Sequence, residues 1–296
     1  MIIDRLYEDA AKNGPVCLGL DTAPEYLPEP FAQRYETPAE AVLAYNRALI
    51  DVTADVVACY KVQIAYYEAL GLPGLSAYAQ TLRAARDSGR VVIADIKRGD
   101  IGATADMYAK AHFSGDFEAD MVTLNPYLGM ESLASYAPWL AGGKGCFILA
   151  RTSNPGARDL QFRDVRIEAE NGGESGRTER LYERVADLIR AFGEPFRGAC
   201  GYTNAGAVVG ATNPEENAAL RARLDGVFLL IPGFGAQGGA ARDAAALLGP
   251  DGRGGVVNSS RAILTAWRKR EHGAEDFAGC ARQEATAARD ALRACL

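Results

Sequence analysis

Histidine and tryptophan are nearly missing from this chain, with two of each in 296 residues. His112 and His272 both lie away from the ends of apolar runs, so they are assigned to solvent or packing and not to acid–base or metal chemistry. Trp139 and Trp267 read as outer-layer packing, not as stacking platforms for bases. Positive charge is also short: 32 Lys and Arg stand against 38 Asp and Glu, a formal charge of −6. A nucleic-acid binder needs a basic face to displace counterions, so that class is set aside, although a single phosphate requires only a local basic site. No segment reaches the roughly 18 apolar residues needed to span a bilayer. The opening residues, MIIDRLYEDAAKNG, carry acids where a secretion signal would be apolar. A cytoplasmic protein with no membrane partner is therefore expected. The six cysteines, Cys17, Cys59, Cys146, Cys200, Cys280 and Cys295, show no CxxC spacing and read as reduced core thiols.

Apolar residues make up 48% of the chain and charged residues 24%, the balance of a globular protein with a sizeable core. Eight short runs rich in Val, Ile and Leu read as strands: Val16 to Asp21, Val56 to Gln63, Val91 to Lys97, Met121 to Asn125, Cys146 to Ser153, Ala207 to Thr212, Val227 to Pro232 and Gly255 to Ser259. Between most of them lie alanine-rich stretches of helical period, Pro38 to Val52, Gly74 to Ser88, Ile101 to Phe113, Arg177 to Phe192, Glu215 to Leu224 and Gly239 to Leu248. Continuous apolar strands alternating with helices imply a parallel sheet, and eight such units predict an α/β fold, one (β/α)8 TIM barrel spanning residues 1–296. A doubly wound open sheet is the structural alternative. The interval after the fifth strand is too long for one helix. Its first part, about 155–177, is charged and glycine-bearing, and reads as a surface excursion, while Phe277 to Leu296 reads as a helix on the outside of the barrel.

In a parallel barrel the chemistry sits at the C-terminal ends of the strands. The polar residues there are Asp21, Lys61 with Gln63, Asp95 with Lys97 and Asp100, Asn125, Thr152 with Ser153, Thr212 with Asn213, the turn Pro232-Gly233-Phe234-Gly235 with Gln237, and Asn258 to Arg261. Asp95 and Lys97 are two apart on a strand and so share a face at the barrel mouth. Asp100 and Thr104 follow where a helix begins. A bland reading remains open at this point, in which Asp100 caps that helix and Asp95 forms a structural ion pair. Lys61, at the end of the preceding strand, shifts the balance, because two lysines and two aspartates would then converge and keep one another charged. A lysine among carboxylates keeps its proton at neutral pH and suits a general acid better than a Schiff-base nucleophile. A metal at Asp95 and Asp100 would have to compete with Lys97. The glycine-rich turn after the seventh strand and the Asn258–Arg261 segment after the eighth form a candidate phosphate site.

These residues resemble the orotidine 5′-phosphate decarboxylases, in particular the longer bacterial subfamily. The resemblance runs from Gly19-Leu20-Asp21 through Arg261. It rests on ADIKRGDIGATADMYA (Ala94 to Ala109), YKVQIAYYEALG (Tyr60 to Gly71), RTSNPGARDLQ (Arg151 to Gln161) and IPGFGAQGG (Ile231 to Gly239). It implies a carboxy-lyase without cofactor or metal that converts orotidine 5′-monophosphate to uridine 5′-monophosphate and carbon dioxide in pyrimidine biosynthesis. It further implies that Asp95 faces the substrate carboxylate, that Lys97 donates the proton, and that Lys61 and Asp21 reach the ribose. Ser153, or its neighbour Thr152, would contact the pyrimidine, with Asn125 nearby. Gln237 and Arg261, with Pro232 and Gly235 in the loop, would hold the phosphate. Asp100 and Thr104 would cross the interface of a homodimer. The nearest rivals are the magnesium-using hexulose-phosphate synthases and sugar-phosphate decarboxylases that resemble this family, and a non-catalytic nucleotide binder on the same scaffold.

Overall fold

The computed structural model describes residues 1–168, 174–211, 214–233, 241–249 and 251–296. Eight strands close into a parallel barrel: β1 (Val16–Gly19), β2 (Cys59–Gln63), β3 (Val91–Arg98), β4 (Met121–Leu124), β5 (Gly145–Arg151), β8 (Thr203–Val209), β9 (Val227–Ile231) and β10 (Gly255–Ser259). The remaining two, β6 (Asp164–Glu168) and β7 (Glu174–Arg180), pair antiparallel with each other and stand outside the barrel. The order β1-β2-β3-β4-β5-β8-β9-β10 brings β10 back beside β1, so no edge strand is left open. The expected closed (β/α)8 barrel is the observed architecture, and the open-sheet alternative falls away.

Two apolar layers hold it together. The barrel interior is filled by Cys17, Cys59, Val91, Ile93, Met121, Phe147, Val208, Phe228, Leu230 and Val256, and Ile3, Leu6 and Ala10 of the helix Ile2–Asn13 close its lower end. That helix has a clean apolar stripe, which its acidic residues mask in the sequence. A larger layer lies between the strands and the surrounding helices. Each fully buried Val, Leu, Ile or Phe contributes roughly 1.5–3 kcal/mol relative to exposure. Local signals set the helix limits: Thr37 and Glu40 form a reciprocal capping box ahead of Pro38–Thr53, and Asp276 accepts from the Gly279 amide to start Phe277–Arg293.

Three boundaries differ from expectation for identifiable reasons. β8 starts at Thr203, not Ala207, because two polar residues open the strand and find partners underneath it. The Thr203 hydroxyl donates to the Ala205 carbonyl, and Asn204 donates to the Leu140 carbonyl while accepting from the Ile3 amide. β2 starts at Cys59, since Val56 turns back to the Thr53 carbonyl. The segment following β5 is more regular than a surface excursion: it holds a short helix, Ala157–Leu160, and the β6–β7 hairpin, so that the next helix begins at Leu181, not Arg177. Its charged strands read as loop because neither is an apolar run. β7 is held by charge, with Glu179 pairing with Arg223 at 2.7 Å and Arg180 pairing with Glu216 on the helix Pro214–Arg223.

All six cysteines are unpaired thiols, and Cys17, Cys59, Cys146 and Cys280 are buried. His112 is buried and stacked on Phe117, whereas His272 is exposed. Trp139 packs on Phe113, and Trp267 donates its indole N–H to the Tyr26 carbonyl.

Candidate active site

The upper mouth of the barrel holds a cavity of about 440 Å³. Lys61, Asp95, Lys97, Thr123 and Asn258 form its charged side, Leu149, Val208 and Leu230 its apolar floor, and Thr152, Ser153, Asn154, Gln161 and Pro232 the remaining wall. Two larger clefts, of about 700 and 780 Å³, lie elsewhere on the surface. In the first, Arg180, Arg223, Glu183, Asp187 and Glu216 are already engaged in ion pairs with one another.

The charged side is one continuous network. Lys61, the central residue of β2, donates to Asp95 Oδ2 at 2.9 Å and to Asp21 Oδ1 at 3.0 Å. Lys97 donates to the other oxygen, Asp95 Oδ1, at 2.6 Å. Asp21 is held in turn by the Ser260 hydroxyl, which donates to Oδ2 at 2.7 Å and accepts from Asn258. The side chains of Lys61 and Asp95 are only 6% and 8% exposed, while Lys97 is 46% exposed and reaches the open cavity. Burial pushes the Asp95 carboxyl up, but Lys61 and Lys97 together outweigh it and hold the group well below the usual carboxylate range. Burial likewise works against the Lys61 charge, and Asp21 and Asp95 override it, keeping this amine above its ordinary value.

β3 reaches this arrangement by breaking its own regularity. Four residue steps on β3, from Ala94 to Arg98, face two on β4, from Val122 to Leu124, which is a bulge. Lys97 sits within it at φ +47°, a left-handed conformation that a non-glycine residue seldom adopts. Simple strand alternation predicted a shared face for Asp95 and Lys97; they do meet, but through the bulge.

Two lysines and two aspartates therefore converge, with Asp21 as the second acid. Asp100 does not enter the network of its own chain: its Oδ1 accepts from the Ile101 amide at the head of the helix Gly102–Phe113, and Thr104 is exposed on that helix. Asn125 is exposed beyond β4, accepts from the Tyr127 amide and is not among the residues that line the cavity. Thr152 and Ser153 line the wall, where the Thr152 hydroxyl donates to Asn154 and accepts from Gln161. Pro232 lines the cavity and Arg261 opens the helix Arg261–Leu264, whereas Gly235, Gln237, Thr212 and Asn213 lie outside the described residues. Thr123, Asn154 and Gln161 line the cavity without having been expected there, and Ser260, in the segment expected to bind phosphate, also joins the carboxylate network. A polar residue inside the apolar run Met121-Val122-Thr123-Leu124 was the available signal for the first.

The wall is braced from behind by Arg151, which is fully buried at the end of β5. It donates to the Gly210 carbonyl and to Asn217, and its guanidinium lies over the Tyr182 ring. Among the described residues no three His, Cys, Asp or Glu side chains gather as metal ligands.

Removing the central cation is the simplest test of the electrostatic account. Lys61→Met leaves Asp21 and Asp95 facing each other, and should cost about 3–5 kcal/mol at pH 7. In the wild type the depressed Asp95 carboxyl contributes stability that is fully present above its unfolded value, near 4, and is lost as pH falls through its lower folded value. The difference between variant and wild type should therefore persist down to about pH 4 and shrink below it, as followed by urea denaturation. An equal difference at pH 7 and at about pH 2.5 would contradict it.

Comparison with known proteins identifies the family. Residues 14–275 match the model of the orotidine 5′-phosphate decarboxylase / HUMPS family. The chain is 50% identical over 98% of its length to an orotidine 5′-phosphate decarboxylase of Clostridium kluyveri, covering 96% of that protein. It is 49% identical to the corresponding protein of Clostridium perfringens strain 13, over 99% of this chain and 98% of that one. Among solved structures it superposes on the OMP decarboxylase of Leishmania donovani with a TM-score of 0.71 and 32% identity, covering 97% of this chain and 98% of that one. A barrel that carries this network, and matches the family over nearly its whole length, belongs to the orotidine 5′-phosphate decarboxylase / HUMPS family.

Proposed function

We propose that this chain decarboxylates orotidine 5′-monophosphate to uridine 5′-monophosphate, with Lys97 as the proton donor. The observation that carries this reading is the half-exposed Lys97 ammonium held at 2.6 Å from a buried, ionised Asp95. In the reaction the bond between ring carbon C6 and the carboxylate breaks, its electron pair stays on C6, and carbon dioxide leaves. Lys97 transfers one proton to C6 and the resulting amine recovers a proton from solvent. The site has to stabilise negative charge at C6 before that proton arrives, and an ammonium fixed beside the carbon does so without reorganisation. Asp95 faces the substrate carboxylate. Two unit charges about 4 Å apart at an effective dielectric near 20 repel by roughly 4 kcal/mol, which assists departure of carbon dioxide but falls short of a whole enzymatic acceleration. The remainder falls to preorganised electrostatics and to binding energy from the ribose and phosphate.

The same reading gives Lys61 and Asp21 the ribose hydroxyls, and Arg261 and Gln237 the phosphate, with Pro232 and Gly235 in the loop. The pyrimidine is assigned to Ser153 or its neighbour Thr152, both of which line the cavity wall. Asp100 and Thr104 are assigned to the neighbouring site of a homodimer. In support, Ile101, Met107, Tyr127 and Leu128 are 53%, 60%, 75% and 49% exposed around them, an apolar surface that association would cover. The family also contains magnesium-using sugar-phosphate enzymes, but the near-full-length relatives at 49–50% identity are orotidine 5′-phosphate decarboxylases.

Two measurements test the reading. Lys97→Ala should lower turnover of orotidine 5′-monophosphate by at least about 10³-fold while still binding uridine 5′-monophosphate; turnover within tenfold of wild type would contradict the donor role. Wild-type turnover, read by ultraviolet absorbance, should be unchanged in excess EDTA. Loss of activity restored by magnesium would favour the metal-dependent branch.

A further inference from the structure

The bulge that carries Asp95 and Lys97 is held from one atom, the hydroxyl oxygen of Thr123 on β4. It accepts from the Ile96 amide and from the Lys97 amide, both at 2.9 Å, and it donates to Asp95 Oδ1 at 2.8 Å. A hydroxyl has one proton and two lone pairs, so this one is fully used. Thr123 is 1% exposed, and the Asp95 side chain it meets is 8% exposed. No β4 carbonyl can take over the two amides, because the register slips at this point: Val122 still pairs with Ala94, and the next pair is Leu124 with Arg98. Lys97 is meanwhile held at φ +47°, a conformation that persists only where its surroundings over-determine it. Thr123 supplies that constraint, fixing the Lys97 backbone at one end and the carboxylate that receives the Lys97 ammonium at the other.

We propose that Thr123 is a positioning residue for proton delivery, its hydroxyl locking the bulge and the Asp95 carboxylate in the geometry that aims Lys97 into the cavity. The inference rests on the decarboxylase reading for its kinetic consequence, but not for its structural one. Thr123→Val keeps the shape and removes the hydroxyl; Thr123→Ser keeps the hydroxyl.

The structural arm needs no substrate. In Thr123→Val, exchange of the Ile96 and Lys97 amides, read by NMR, should accelerate by at least about tenfold, and in Thr123→Ser it should stay near wild type. Unchanged exchange in the Val variant would overturn the proposal, whatever the enzyme turns over. In the kinetic arm, kcat of Thr123→Val should fall about 100-fold, the cost of misplacing a reacting group by roughly 1 Å, with KM changed by no more than about threefold. Thr123→Ser should retain kcat within about threefold. Equal losses in both variants would assign the effect to packing and refute the hydroxyl's role, and so would a Val variant at wild-type kcat. Should Thr123→Val not fold, the Ser variant decides alone, since a loss beyond about 30-fold there contradicts the proposal. Failure of the decarboxylase reading itself would show differently, as a wild-type protein inert toward orotidine 5′-monophosphate with the exchange result intact.

Discussion

Asp95 keeps its negative charge inside a protein because an ammonium group sits on each of its oxygens, Lys61 on one and Lys97 on the other. An isolated buried carboxylate would take up a proton and give up its charge, and an isolated Lys61 would lose one. Linking the two with Asp21 and Ser260 yields a row of alternating charges from β1 across β2 to β3, in which every member justifies its neighbour. The outermost cation, Lys97, is the one that reaches open space, so the network ends in a proton held ready beside the cavity.

Such a row costs stability that the barrel supplies elsewhere. Buried ion pairs return little net folding energy, because desolvation consumes most of the attraction. The bulge and the left-handed Lys97 add local strain of the kind that gathers at functional sites. Closure of the sheet, the apolar fill around Phe147 and Phe228, and the lid formed by the helix Ile2–Asn13 provide a rigid frame in which the strained segment has no room to relax. Chemistry and stability are thus divided between the two ends of one barrel, the charged network above and the apolar plug below.

The barrel was legible because its strands are apolar runs of the right length separated by helical periods, a pattern that survives errors of a few residues at each boundary. The core of the site was legible for a related reason: Asp21, Lys61, Asp95 and Lys97 are charged residues at strand ends, where a charge stands out. Thr123 was not, since it lies one residue inside an apolar strand and its importance depends on a register slip that only the folded sheet reveals. Asp100 illustrates the opposite difficulty. Its spacing from Lys97 suggested membership of the same cluster, whereas within one chain it turns to the Ile101 amide, and Asp21, distant in sequence, takes the place of second acid. The β6–β7 hairpin escaped because charge pairing with the helix Pro214–Arg223 organises it, and ion pairs across that distance leave no periodic mark in a sequence.

The account turns on where one amine stands relative to one ring carbon. A crystal structure of the protein with bound uridine 5′-monophosphate tests this most directly. The account predicts the Lys97 ammonium in contact with Asp95 and about 3–3.5 Å from C6 of the pyrimidine, within reach for proton transfer. A nucleotide seated in the cavity with that amine turned away from C6, or with another acid nearer to it, would contradict it.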